Sequence, residues 1–248
     1  YFQNAEVVIC RKNSQTYRLL EQKTPMTVLY KGCETSLNFE NTFANGFVDA
    51  SEKGILPAVV VCSSRYESLD LLIDELVELT LHLNKKGLIE EYIRTQIFSF
   101  PTIILGSNGI IYDEFMYNFI QKLMNAGLSE LLIELMKPKI LRCSIMQAAY
   151  RSGNTYYPLK EGLMKLAVPK YKKFIDVVEL LHEKDLNLSI QSNPHRVEFE
   201  KALINIATNS AAFAFALDKH RFCLNKIDIQ EALSSKDIHY SRFVRELQ

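Results

Sequence analysis

Three residues set four apart, Lys201, Asn205 and Asn209, with Thr208 beside them, form the chain's clearest arrangement of reactive and hydrogen-bonding side chains. On a helix turning about 100° per residue, the four fall within about 100° of arc and make one polar stripe. Such a stripe serves equally as the solvated face of a surface helix. Two amides aligned below one lysine, where a solvated stripe would carry Glu, Lys and Arg, favour a cleft that holds a carboxylate, hydroxyl or carbonyl oxygen. A lysine partly withdrawn from water has its pKa lowered towards neutrality, which suits it to protonate a developing alkoxide. The spacing therefore points to acid catalysis accompanying hydride delivery from a separate group.

Two further positions carry weaker signals. Asn108 lies between Ser107 and Gly109, directly after the apolar run Thr102-Ile103-Ile104-Leu105. Ligands of parallel α/β sheets bind outside the carboxyl ends of the strands, where such an asparagine can reach a cofactor or substrate. It can equally be a turn asparagine satisfying its own backbone. Arg11-Lys12 follows the run Val7-Val8-Ile9-Cys10; basic residues after a strand of a dinucleotide-binding sheet accommodate a 2′-phosphate, and otherwise open a solvated turn.

Other chemistries find no pattern. His82, His182, His195, His220 and His239 show no HxH or HExxH spacing, and the five cysteines form no CxxC pair, so no metal site is expected. There is no GxSxG elbow and no Walker loop. Asp70, Asp74 and Glu75 sit on a helix with an apolar opposite face, and Asp113 and Glu114 open a helix where acids suit its dipole, so both sets are read as structural.

The elements that must position these residues alternate strand and helix. Strands are expected at Glu6–Cys10, Thr27–Tyr30, Pro57–Cys62 (buried on both faces), Thr102–Leu105 and Ile140–Ile145. Helices are expected at Gln15–Gln22, Tyr66–Asn84 through Leu69, Leu72, Leu76, Leu79 and Leu83, Tyr112–Met124 and Lys170–Glu183, with a loop over Asn38–Lys53. Val197–Leu217 lacks Gly and Pro and is apolar on most sides, which predicts a long, largely buried helix started by Ser192-Asn193-Pro194; Lys226–Gln248 is helical in character. The fold class is α/β: an incomplete Rossmann-like parallel-sheet domain over residues 1–190, followed by an all-α region over 191–248. Tyr1-Phe2-Gln3 has the form of a purification-tag remnant.

Composition bounds the partners. Among 248 residues, 29 Lys plus Arg balance 29 Asp plus Glu, so no basic excess is present to neutralise nucleic acid. No apolar run approaches the roughly 20 residues that cross a bilayer, and the start has no signal-peptide pattern, so the protein is read as cytoplasmic with no membrane partner. The apolar Ala211–Leu217 stretch serves either as internal core or as a homodimer interface.

Taken in order, VVICRKNSQTYRLLEQ, LPAVVVCSSRYESLDLLIDEL, FPTIILGSNGIIYDEF and VEFEKALINIATN resemble the ketopantoate reductase (2-dehydropantoate 2-reductase) family over most of the chain. That resemblance implies an NADPH-dependent oxidoreductase of pantothenate biosynthesis, reducing a small 2-oxo acid to a 2-hydroxy acid. It places Arg11 near the cofactor 2′-phosphate and Asn108 near nicotinamide and substrate. Lys201 becomes the general acid, and Asn205 and Asn209 hold the hydroxyl and carboxylate side of the substrate. The family's opening GxGxxG turn has no counterpart among the nine glycines, so the chain is expected to start at the family's second strand. Its usual lysine after the strand at Val59–Cys62 is replaced by Ser64 with Arg65 alongside, and its later helices, with a serine and a glutamate of the substrate site, would fall beyond Gln248. A noncatalytic, shortened relative acting as a binding or dimerisation module is the second reading, and a dehydrogenase of another 2-oxo or imino acid the third.

Overall fold

The computed structural model describes residues 8–22, 26–37, 43–63, 66–89, 91, 100–146, 149–153, 155–158, 162–169, 174–183 and 186–218. The expected helical character of Lys226–Gln248, the stretch 64–65 and Cys223 lie outside the described residues. The chain divides into two compact units, residues 1–197 and 198–248.

The first unit opens with β1 (Val8–Cys10) and α1 (Gln15–Glu21). The Ser14 hydroxyl caps α1 by accepting the Tyr17 backbone N–H at 3.1 Å. Strands β2 (Met26–Tyr30) and β3 (Cys33–Leu37) form a hairpin whose two connecting residues, Lys31 and Gly32, have φ of 50° and 80°. Both left-handed values are what a type I′ turn requires, and glycine supplies one of them without strain. Next come β4 (Phe43–Asn45) and α2 (Phe47–Glu52), inside the stretch expected to be a loop. Buried Ala44, Phe47 and Ala50 anchor these short elements, too few apolar residues to give a periodic signal within a polar run.

β5 (Val59–Cys62), a 3₁₀ turn at Tyr66–Ser68, α3 (Leu69–Lys85), β6 (Thr102–Leu105), α4 (Tyr112–Asn125), α5 (Glu130–Met136) and β7 (Ile140–Met146) form the central strand–helix alternation. The remainder holds β8 (Ala149–Ser152), β9 (Thr155–Pro158), β10 (Leu163–Ala167), α6 (Ile175–Glu183) and β11 (Leu188–Gln191). Of the helix expected from Lys170, residues 170–173 lie outside the described residues.

A five-stranded sheet in the order β11-β10-β7-β6-β5 is the backbone of the fold. β5, β6 and β7 are parallel, whereas β10 runs antiparallel to β7 and parallel to β11. β1 and β4 make a separate parallel pair, and the order β3-β2-β9-β8 makes a four-stranded sheet. β6 shows why a continuous apolar run becomes a central strand: Ile103 and Leu105 enter one core with α3 and α4, while Ile104 enters the other with Leu141, Met164 and Val178. β5 corrects the expectation of burial on both faces, since it ends the sheet order among the described strands and leaves Val61 39% exposed. Along α3 the apolar stripe is centred on Ile73, Leu76, Leu79 and Leu83, all at most 1% exposed, with Leu72 at its margin.

α7 (Pro194–Asp218) begins in the first unit and continues into the second. Its expected start holds: the Asn193 Oδ1 accepts the His195 N–H at 2.9 Å, and proline occupies the first helical position, where no N–H is needed. The expectation of a largely buried helix does not hold for the described side chains. Val197 and Ala207 are buried, but Phe199, Leu203 and Ile206 are more than half exposed. Apolar residues distributed all round a helix favour no face, so the sequence could not indicate which side would be covered.

Candidate functional site

The parallel strands bring their carboxyl ends to one edge of the first unit, and two of the expected residues stand there. Arg11 directly follows β1, and its Nη1 donates to the Ser68 Oγ at 3.4 Å, joining the end of β1 to the turn that follows β5. From that same turn the Tyr66 hydroxyl bonds Glu114 on α4 at 3.2–3.3 Å, and the neighbouring carboxylate raises the phenol pKa. Asn108 is exposed on the segment leaving β6. Two polar links thus tie the end of β1 to the turn after β5, and that turn to the first turn of α4, near the position at which open α/β sheets bind ligands.

Next to the end of β1 lies a cleft of about 260 Å³ lined by Lys12, Asn45, Gly46, Asp49, Glu75 and Glu78. The Lys12 backbone N–H donates to Glu75 Oε1 at 3.1 Å, and its ammonium lies 3.6 Å from Glu78. Burial pushes the Glu75 carboxyl above its ordinary value, opposed by that backbone bond. Asp49 moves the other way: the Lys53 ammonium, 2.8 Å distant, holds it below the usual carboxylate range. Arg11 is not among the residues lining this acidic cleft; its guanidinium donates to Ser68, and its charge, with that of Lys12, opposes the upward push of burial on Glu75.

The segment carrying Asn108 is tightly built. A Cβ on Gly106 would stand 2.8 Å from Ile145 Cδ1 and 3.0 Å from the Cys62 carbonyl, so any side chain there requires Ile145 to move and that carbonyl to give by a few tenths of an ångström. Gly109 has φ of +111°, which side chains rarely adopt. Below the segment lies Arg142, 1% exposed, with Nη1 donating to Leu105 O at 2.7 Å and Nη2 donating to Ser107 O at 2.8 Å and Gly109 O at 2.9 Å. Arg142 was not among the residues singled out from the sequence. The available signal was a charged residue between Leu141 and Cys143, inside a strand that is otherwise apolar.

Burial pushes the Cys62 and Cys143 thiols up to about 12 and that of Cys10 to about 11, which removes them as nucleophiles. No group of three or more His, Cys, Asp or Glu among the described residues is arranged to hold a metal ion. No described helix is long and apolar enough to cross a membrane.

Lys201 and Asn205 are half-buried on α7, in the second unit, one helical turn apart. Asn209 continues the same four-residue spacing along the helix backbone; its side chain and that of Thr208 lie outside the described residues.

No family model and no curated protein matches the sequence. Solved structures do match. D-mandelate dehydrogenase, in a ternary structure with NADH and anilino(oxo)acetate, aligns over 99% of this chain and 74% of its own with TM-score 0.55 and 13% identity. A complex of D-mandelate dehydrogenase with NADH aligns over 99% and 73% with TM-score 0.51 and 12% identity. The 2-dehydropantoate 2-reductase of Porphyromonas gingivalis W83 aligns over 97% and 83% with TM-score 0.54 and 10% identity. The chain therefore has the Rossmann-like α/β fold that D-mandelate dehydrogenase and 2-dehydropantoate 2-reductase share.

Proposed function

We propose that the protein is an NADPH-dependent oxidoreductase of ketopantoate reductase type that reduces a small 2-oxo acid to the 2-hydroxy acid. The observation that carries this reading is the bond from Arg11 to Ser68, which joins the end of β1 to the turn after β5, with Asn108 exposed just beyond the carboxyl end of β6, on a fold that the chain shares with solved NADH complexes. Residues 1–190 form the dinucleotide-binding part, and 191–248 the helical part that supplies substrate contacts and a homodimer surface.

The nicotinamide cofactor supplies hydride. The residues that fit it are Arg11, a guanidinium with donors in a planar fork suited to the 2′-phosphate, and Asn108, whose exposed carboxamide can bond both the nicotinamide amide and the substrate. Lys201 donates a proton to the substrate carbonyl oxygen as it becomes an alkoxide, so that hydride and proton together complete the alcohol. Asn205 and Asn209 orient the hydroxyl and carboxylate, which fixes the carbonyl face presented to the hydride. Half-burial of Lys201 and Asn205 on one helix stripe supports these roles, because a partly dry setting strengthens both hydrogen bonding and proton transfer.

Titration calorimetry with NADPH and NADH, on protein expressed from its full reading frame, tests the reading. Micromolar binding of NADPH with NADH at least about tenfold weaker is expected, a difference of about 1.4 kcal/mol. In turnover with 2-oxo acids, Lys201→Ala should lower kcat by about 10²–10⁴ while leaving NADPH affinity within about twofold. Absence of binding by either nucleotide would sink the dehydrogenase and leave the noncatalytic module.

A further inference from the structure

We propose that Arg142 is a positioning residue: its buried guanidinium holds the turn from Leu105 to Gly109, and with it the Asn108 carboxamide, in the geometry turnover requires. The functional half of this proposal rests on the role assigned to Asn108 above.

Three observations carry it. First, the acceptors are not scattered. Leu105, Ser107 and Gly109 give their carbonyl oxygens to Arg142 at 2.7, 2.8 and 2.9 Å, so alternate residues are held on both sides of Asn108. Arg142 also donates to the Cys143 carbonyl. The register makes this possible, since Leu105, the last residue of β6, is the direct partner of Arg142 across the β6–β7 ladder.

Second, the device is costly for what a mere connection needs. A carbonyl leaving a strand end is ordinarily satisfied by water, because connections run over the surface. Here Ser107 is 3% exposed and Arg142 1% exposed, within a strand whose neighbours Leu141 and Cys143 are apolar core. A methionine or leucine would fill that position without withdrawing a charge from water. A guanidinium tolerates the site because its five donors are spread over separate nitrogens in a rigid fork and so reach carbonyls on both sides of Asn108, whereas a lysine's three donors radiate from one nitrogen.

Third, the rest of the turn is equally constrained. Gly106 is wedged against Ile145 and the Cys62 carbonyl, and Gly109 takes a left-handed φ with its Cβ direction closed by Ile111 at 3.1 Å. Ser107 is buried and Asn108 is exposed, so the fixed backbone presents one polar side chain outward.

The test begins with the unliganded wild-type protein. Amide ¹⁵N relaxation should give Asn108, Gly109 and Ile110 order parameters of about 0.85, as in rigid backbone; values below about 0.6 would overturn the clamp without any variant. Arg142→Met should then loosen those amides while β5 and β6 keep their order, and Arg142→Lys should fall between. Uniform loosening of β5, β6 and the turn would show a merely structural arginine.

In turnover with NADPH and a 2-oxo acid, Asn108→Ala and Arg142→Met should each lower kcat by at least about tenfold, and the double variant should fall no further than the worse single one. Losses that multiply, or a wild-type kcat in Arg142→Met, would overturn the positioning role even with Asn108 confirmed. If Arg142→Met fails to fold, Arg142→Lys and the wild-type relaxation decide. A wild-type protein that neither binds nucleotide nor turns over would remove the Asn108 reading and the functional half of this proposal together, while relaxation still decides whether Arg142 fixes the turn.

Discussion

Arg11 and Glu75 lie near the same strand end and make different hydrogen bonds, while the Arg11 charge still reaches the Glu75 carboxylate. Arg11 projects to Ser68, whereas Glu75 is engaged by the Lys12 backbone beside an acidic cleft. Removing the guanidinium with Arg11→Ala should therefore weaken NADPH binding by about tenfold and leave NADH unchanged, read by calorimetry, because NADH lacks the phosphate a guanidinium would hold. Equal loss for both nucleotides would place Arg11 elsewhere. Glu75 offers a pH signature. Burial raises its carboxyl from the ordinary 4.5, so the folded chain holds that proton more tightly than the unfolded chain. Its contribution to stability is full below the ordinary value and is lost as pH rises through the raised one. Glu75→Gln keeps an acceptor for the Lys12 N–H but cannot ionise. The Tm of this variant relative to wild type should thus climb as pH rises from 4.5 through the raised value and level off above it. A difference that shrinks with pH would mean that attraction to the nearby cations outweighs burial.

Among the elements, the β6–α4 connection depends most on a single residue. Gly106 N–H bonds the Cys62 carbonyl while the space for a Cβ is occupied by Ile145 and that same carbonyl. Gly106→Ala must displace the Ile145 side chain and shift the Cys62 carbonyl, and should cost about 1–3 kcal/mol in denaturant unfolding. A loss below about 0.5 kcal/mol would show that the strand ends yield easily. Elements of this central alternation were legible because each carries its own period: β6 as an unbroken apolar run, α3 through its leucines and α4 between its acidic start and Asn125. β4 and α2 were not legible, since each is only a few residues long and held by one or two buried side chains. β8 to β11 also escaped, because strands of only four or five residues are too short for alternation to separate them from loop.

For the molecule as a whole, a ligand that binds only the folded state must stabilise it. NADPH at about 100 times its Kd should contribute about 2.7 kcal/mol, seen as a higher Tm that grows with nucleotide concentration. An unchanged Tm over that range would contradict the proposed oxidoreductase. Local chemistry was enough to place an α/β sheet, the start of α7 at Asn193-Pro194, and the residues Arg11, Asn108, Lys201, Asn205 and Asn209 on their elements, because apolar period, caps and four-residue spacing are properties of neighbouring residues. Strand order, the reversed direction of β10, the exposure of Val61 and the burial of Arg142 beneath the Asn108 turn were decided by the tertiary structure. Each depends on which distant segments meet: the guanidinium of Arg142 reaches carbonyls more than thirty positions away, a pairing that exists only once β6 and β7 lie side by side.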